Sequence, residues 1–158
     1  DEESLIKVVE QIRKHQPKII ITNSRKDRHP DHEAASRLVK KASFLSGLVK
    51  ISTRYEGENQ SPWRPKSILY SIQNNYVDPD FVIDITKFYD KKVEAINCFK
   101  SQFYDPKSKE PKSFISSKEF MNFINSRAIE MGHSIGTVYG EGFTSENKLR
   151  VNSLSNII

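Results

Sequence analysis

The chain predicts an α/β fold, and three observations carry that prediction. Stretches of helical apolar spacing alternate with short β-branched and aromatic runs along the whole length. The apolar run Lys18-Ile19-Ile20-Ile21-Thr22-Asn23 leads into Arg28-His29-Pro30-Asp31-His32 and a helical pattern from Glu33, which makes a strand-loop-helix junction. With 36% hydrophobic and 28% charged residues, a chain of 158 residues can bury one core.

Each element has its own signal. Leu5, Ile6, Val8, Val9 and Ile12 give one apolar face to a helix from Glu2 to His15, and Pro17 ends it before a strand over Lys18 to Asn23. From Pro30 to about Leu45 the spacing of Ala34, Ala35, Leu38, Val39, Ala42 and Leu45 is again helical, with Gly47 as the stop. Tyr55 to Pro65, with Gly57, Asn59, Ser61 and two prolines, reads as a loop long enough to be functional. Ser67 to Gln73 and Phe81 to Thr86 read as strands joined through Asn74-Asn75 and Asp78-Pro79 turn chemistry. Asp84 interrupts the second of these, facing either a cavity or the solvent side of an outer strand. Thr86 is placed to cap a helix reaching about Phe103, with Val93, Ile96 and Phe99 turned inward.

Tyr104 to Ser113 is a polar, lysine-rich connection, after which Ser116 or Ser117 caps a helix through Met131. Gly132 to Phe143 holds four glycines, and its Ile135 to Tyr139 portion fits a short strand. Ser145 to Ile158 is a tail expected to pack as a short helix or to mediate assembly.

Charge and composition exclude several classes. The net charge of +5 is spread over Lys40-Lys41, Lys91-Lys92, Lys107, Lys109 and Lys112 with acidic residues among them, so no nucleic-acid partner is expected. No apolar run approaches the ~20 residues of a membrane helix, and no membrane partner is expected either. The single cysteine, Cys98, excludes an internal disulfide and fits a reducing cytoplasm, and it reads as a buried helix residue.

The junction at residues 28–32 holds the candidate chemistry. If Pro30 takes the first helical position, His29 is the cap, Asp31 the second residue and His32 the third, which puts both rings on one side of the first turn. Asp31 then lies at the positive end of the helix dipole, near enough to orient an imidazole. One histidine could bind a metal while the other polarises a substrate. The plainer reading is that His29 caps the helix, Asp31 improves it electrostatically and His32 packs on the sheet. His15 at a helix C-terminus and His133 after Gly132 stay outside the site on either reading.

Four segments carry a family resemblance. Asp27-Arg28-His29-Pro30-Asp31-His32 resembles the second motif of the LmbE/PIG-L zinc-dependent deacetylases, which remove acetyl groups from N-acetylglucosamine conjugates. Phe44-Leu45-Ser46-Gly47-Leu48, Trp63-Arg64-Pro65-Lys66 and Ile135-Gly136-Thr137-Val138-Tyr139-Gly140-Glu141-Gly142-Phe143 resemble the branch that deacetylates N-acetylglucosaminyl-malate in bacillithiol biosynthesis. The resemblance implies a Rossmann-like, LmbE-like fold, a mostly parallel sheet flanked by helices, with residues 1–158 as the C-terminal part of a single domain. The family's first motif, Ala-His-Pro-Asp-Asp, does not occur in the chain, so its opening βα units are expected to be absent.

By that match His32 would be the third protein ligand of Zn2+, and His29 would stabilise the oxyanion or protonate the leaving amine. Asp31 would tune His29, and Arg28 and Arg64 would reach the substrate. Glu141 would lie near the active-site wall. A small-molecule N-acetylglucosamine conjugate is then the expected partner, and a cytoplasmic homo-oligomer the expected form. The alternatives are a deacetylase of another N-acetyl sugar and a non-catalytic sugar-binding or assembly module. Amide hydrolysis needs a strong nucleophile, which zinc provides by lowering the pKa of bound water towards about 7. The oxyanion needs a preorganised donor, for which an imidazole N–H is suited.

Overall fold

The computed structural model describes residues 1–156, which fall into two compact units, Asp1–Asp80 with the chain from Phe143 onward, and Phe81–Gly142. In chain order the elements are α1 (Glu2–His15), β1 (Ile19–Thr22), α2 (Pro30–Leu45), β2 (Arg54–Tyr55), β3 (Glu58–Asn59), β4 (Ser67–Ser71), β5 (Phe81–Asp84), α3 (Tyr89–Asn97), α4 (Lys118–Ser134) and β6 (Gly140–Ser145). Among the described residues no helix is long and apolar enough to cross a membrane.

In the first unit α1 begins at Asp1, whose carboxylate accepts the Ser4 N–H at 2.8 Å. Glu2 and Glu3 then occupy its positive end, and Arg13, Lys14 and His15 its negative end. Gln16, in the left-handed region at φ 45°, closes it ahead of Pro17. Leu5, Val9 and Ile12 pack with Ala42 of α2, bordered by Leu38, Leu45, Ile51 and Trp63. Each full burial of an aliphatic side chain there contributes about 1.5–3 kcal/mol. Arg13 is buried at the end of α1 and holds the turn after α2. It donates from Nε to the Ser46 carbonyl (3.0 Å), from Nη2 to Leu48 (2.8 Å), and from Nη1 to Ile51 (2.7 Å) and the Thr53 hydroxyl (2.8 Å).

Strands β1 and β4 are parallel, from Ile19 opposite Ser67 to Thr22 opposite Tyr70. β6 joins β4 antiparallel, from Leu69 opposite Ser145 to Ser71 opposite Phe143, so the sheet is mixed. The apolar run of β1 alternates, with Ile20 against the core and Ile19 and Ile21 exposed. Asp80 donates its N–H to the Phe143 carbonyl at 2.9 Å, and its carboxylate accepts the Ser145 N–H, closing the unit where the chain leaves and returns. The expected loop at Tyr55 contains the small hairpin β2–β3, whose turn residues Glu56 and Gly57 both have positive φ (51° and 86°).

The second unit holds β5, a short 3-10 turn over Thr86–Phe88, α3, α4 and the first residues of β6. Ser117 caps α4 by accepting the Phe120 N–H, one of the two serines expected. The Tyr89 and Tyr139 rings stack at 3.8 Å, and Tyr89 donates to Asn125 at 2.8 Å. Gly132 and Gly140 let α4 and β6 meet backbone to backbone. A Cβ at Gly132 would lie 2.7 Å from the Val138 carbonyl, and one at Gly140 2.7 Å from the Gly132 nitrogen.

Several expected boundaries move. The helix expected to reach Phe103 ends at Asn97, so Cys98 and Phe99 are exposed rather than inward. Ile135 to Tyr139 is not a strand, because Gly136 at φ 73° winds the chain out of α4 and the strand starts at Gly140. Asp84 is exposed and accepts the Thr86 N–H at 2.9 Å, the solvent-side reading, and the Thr86 hydroxyl first and this backbone N–H second lower its pKa. The tail carries a 3-10 turn at Leu154–Asn156, and its last two residues lie outside the described ones.

Candidate functional site

The carboxyl end of β1 runs into the loop of residues 23–29 and then into α2, and the loop is shaped by side chains that cap its own backbone. Asp27 is the centre of that loop. Its Oδ1 accepts the backbone N–H groups of Arg28 and, at 3.4 Å, of His29, while Oδ2 accepts the Asn74 N–H at 2.9 Å. Its own N–H reaches Glu33 Oε1 at 3.3 Å. Gln73 Oε1 meanwhile accepts from the Asn23 amide (3.2 Å) and the Ser24 N–H (3.1 Å). The loop is therefore tied both to the first turn of α2 and to the chain leaving β4, the edge of a parallel pair where open α/β sheets place their ligands.

On this base the sequence-derived assignment of the first turn holds. His29 is the cap residue, in extended conformation, and Pro30 takes the first helical position. The His29 Nδ1 accepts the Asp31 N–H at 3.3 Å, which puts its lone pair on Nδ1 and its proton on Nε2. The two rings lie 5.3 Å apart, tilted by 31°. His32 is oriented differently. Its Nδ1 is buried, makes no hydrogen bond, and sits 3.6 Å from Asp27 Oδ1.

Other expected site residues are placed as follows. Asp31 is exposed, its carboxylate 3.8 Å from His29 Nδ1, and it is the backbone N–H of Asp31 that engages the ring. Arg28 is exposed. Arg64 is not brought to the histidines. Its guanidinium donates to the Phe44 carbonyl at 3.1 Å and lies over the Phe44 ring, at the other end of α2, roughly 18 Å along the axis from His32 at a rise of about 1.5 Å per residue. Glu141 belongs to the second unit, where the Lys92 ammonium donates to it. Asp27, Gln73 and Asn74 were given no role by the sequence. The available signal was Asp27 itself, an Asx residue two positions before a helix cap.

A polar clamp lies beside the loop. The buried Tyr70 hydroxyl donates to Glu146 Oε2 at 2.6 Å, Lys40 of α2 pairs with the other oxygen, and the Arg25 guanidinium lies over the Tyr70 ring. Burial, and then the Glu146 carboxylate, push the Tyr70 phenol far above its usual range. Burial alone would raise the Glu146 carboxyl, but hydrogen bonds from Lys40 and Tyr70 and the charges of Lys40 and Arg25 more than offset it and hold it low.

Zinc fits only in part. His32 offers an imidazole backed by a carboxylate, the usual setting of a metal-bound histidine. Among the described residues, however, no three histidine, cysteine, aspartate or glutamate side chains are grouped to hold a metal ion. They carry one ligand of a donor set and not a whole zinc site.

No family model matches the chain. Its structure is similar to that of the conserved protein TT1542 from Thermus thermophilus, with a TM-score of 0.77 and 28% identity over 96% of this chain and 62% of that one. It is also similar to GalB, the 4-carboxy-2-hydroxymuconate hydratase from Pseudomonas putida (TM-score 0.71, 20% identity, 98% of this chain and 62% of that one). A third likeness is to the N,N'-diacetylchitobiose deacetylase from Pyrococcus horikoshii in complex with its inhibitor MPG (0.71, 21% identity, 100% and 57%). The chain thus spans about three-fifths of the length of these structures. It shares the mixed α/β fold of these structures, and its His29–His32 junction follows the parallel strand β1.

Proposed function

We propose that the chain carries part of the active site of an N-acetyl sugar deacetylase, and more specifically of one that hydrolyses N-acetylglucosaminyl-malate. The observation that carries this reading is the pair His29 and His32, held on one helical turn with different partners on their Nδ1 atoms. His29, with its proton on Nε2, donates a hydrogen bond to the oxyanion or, when protonated, gives a proton to the departing amine. His32 supplies one ligand to zinc, which when bound activates a water for attack on the amide. Arg28, which is exposed, would meet a malate carboxylate through its two-pronged guanidinium. Support from outside the chain is the likeness to a chitobiose deacetylase.

A second reading has its own support, the equal likeness to a hydratase, in which the same imidazole pair would move protons on an unsaturated acid. The test uses the full-length protein loaded with zinc. Acetate release is measured from N-acetylglucosaminyl-malate and from N,N'-diacetylchitobiose, and water addition is followed with 4-carboxy-2-hydroxymuconate. Faster release from the malate conjugate is the expected result. Release from chitobiose alone would remove the malate assignment, and hydration without any acetate release would overturn the deacetylase reading.

A further inference from the structure

We propose that Asp27 is a positioning residue that fixes the tautomer of His32, keeping the ring proton on Nδ1 and turning the Nε2 lone pair to the open side of the site. The inference rests on the reading of His32 as a ligand for its purpose, but its geometry stands alone. The Asp27 side chain is 1% exposed and the His32 side chain 32%. Because Nδ1 of His32 is itself buried, that exposure belongs to the rest of the ring, where Nε2 lies.

A buried ring nitrogen without a partner is costly, so what faces it decides which form it takes. Facing it is a carboxylate oxygen, an acceptor only. An unprotonated Nδ1 would set a lone pair against that charged oxygen in a place with little water to screen it, whereas a protonated Nδ1 is attracted to it, although the oxygen already accepts from the Arg28 and His29 N–H groups. The present 3.6 Å is longer than a hydrogen bond, so the pairing is an electrostatic one at this separation, and a Nδ1-protonated ring would be drawn towards the charge-assisted range of about 2.7–2.9 Å. The carboxylate cannot swing away, since the Arg28 N–H holds one oxygen and the Asn74 N–H the other. Glu33, next to His32, accepts the Asp27 N–H and locks the loop to the same helical turn.

His29 and His32 are thereby made chemically different although they stand three residues apart. A backbone N–H takes the Nδ1 lone pair of His29 and leaves a donor outward, while a carboxylate takes the Nδ1 proton of His32 and leaves an acceptor outward. Such second-sphere carboxylates typically change metal affinity by about 10–100-fold.

The test is a long-range nitrogen–proton correlation spectrum of the histidine-labelled chain at about pH 8, where an ordinary imidazole is neutral, with His32→Gln used for assignment. Wild-type His32 is expected to show a protonated Nδ1 and a bare Nε2, and His29 the reverse. Asp27→Ala is expected to return His32 to the Nε2-protonated form. A proton on Nε2 in wild type, or a tautomer unchanged in Asp27→Ala, would overturn the proposal. If Asp27→Ala does not fold, the wild-type spectrum decides alone. Titration with Co2+ separates the two ideas: a Nδ1-protonated His32 whose Nε2 signal never broadens sinks the ligand reading and leaves the role of Asp27 intact. Where Co2+ does broaden the His32 Nε2 signal, Asp27→Ala should weaken Zn2+ binding of the full-length protein by about 10–100-fold, read by equilibrium dialysis, and unaltered affinity then counts against the proposal.

Discussion

Replacing His29 by alanine and by asparagine separates its two duties, because only one of them can be carried by another cap residue. The cap is a single bond, Nδ1 to the Asp31 N–H at 3.3 Å, made by a side chain that is 52% exposed. Such a bond belongs at the low end of the capping range, about 0.5–1 kcal/mol. For a chain of this length that is about 1–4 °C in Tm. His29→Ala should lose that amount, and His29→Asn, an excellent cap, should recover it. Catalysis should not follow the same order. On the proposed deacetylase reading, asparagine keeps an N–H donor but cannot give up a proton to a leaving amine, so both variants should lower kcat for acetate release by the full-length protein about 10²–10³-fold. Thermal unfolding followed by circular dichroism and acetate release from the sugar conjugate are the paired assays. The reasoning is refuted if His29→Asn is as unstable as His29→Ala while turning over at the wild-type rate.

Other perturbations probe the scaffold. Arg13→Met keeps the stem but strips four hydrogen bonds from the 46–53 turn, and urea unfolding should show a loss of about 3–5 kcal/mol; a loss below about 1 kcal/mol would show that water replaces the guanidinium without difficulty. Tyr70→Phe removes a hydrogen bond to a charged acceptor and should cost about 1.5–3 kcal/mol. Because Glu146 is held below its unfolded value, its stabilisation is present at neutral pH and is lost as pH falls through the folded value. Tyr70→Phe and Lys40→Met should both move acid unfolding to higher pH, and an unmoved midpoint in a pH titration of ellipticity would remove Glu146 from the account. Gly132→Ala forces a Cβ to within 2.7 Å of backbone and should cost more than Gly57→Ala, where the space is open and the penalty is the positive φ alone, about 1–2 kcal/mol. Equal thermal shifts for the two would contradict the close approach of α4 and β6.

The parts of this molecule that were legible in its sequence are those set by neighbours along the chain. Helix α1 announces itself through Asp1, Glu2, Glu3 and Pro17, and α2 through Pro30, all acting within one turn. The facing of His29 and His32 belongs to the same class, because cap and third residue meet whatever the sheet does. Strand β6 was misplaced because its glycines lower strand propensity, and they are there for contact with Gly132, which only the packed fold reveals. Cys98 came out exposed because α3 stops one residue before it, so the helical phase used to place it no longer applies. Asp27 was passed over since its decisive partner, the Asn74 N–H, arrives from the far end of β4. Arg64 was drawn to the site by resemblance, whereas its own surroundings offered the Phe44 carbonyl and ring.

The hydrogen bond from Asp80 to Phe143 has a consequence for the order of events in folding. The first unit's sheet cannot be finished until β6 returns from beyond residue 142, so its third strand must wait for everything synthesised between. Bringing the ends of an unstructured segment of that length together costs about 3–4 kcal/mol of chain entropy before any pairing repays it. Once residues 81–142 have folded by themselves, that cost is already met by their own contacts. A lesion confined to residues 81–142, such as Gly132→Ala, should then appear as slow closure of a sheet that contains none of the altered atoms.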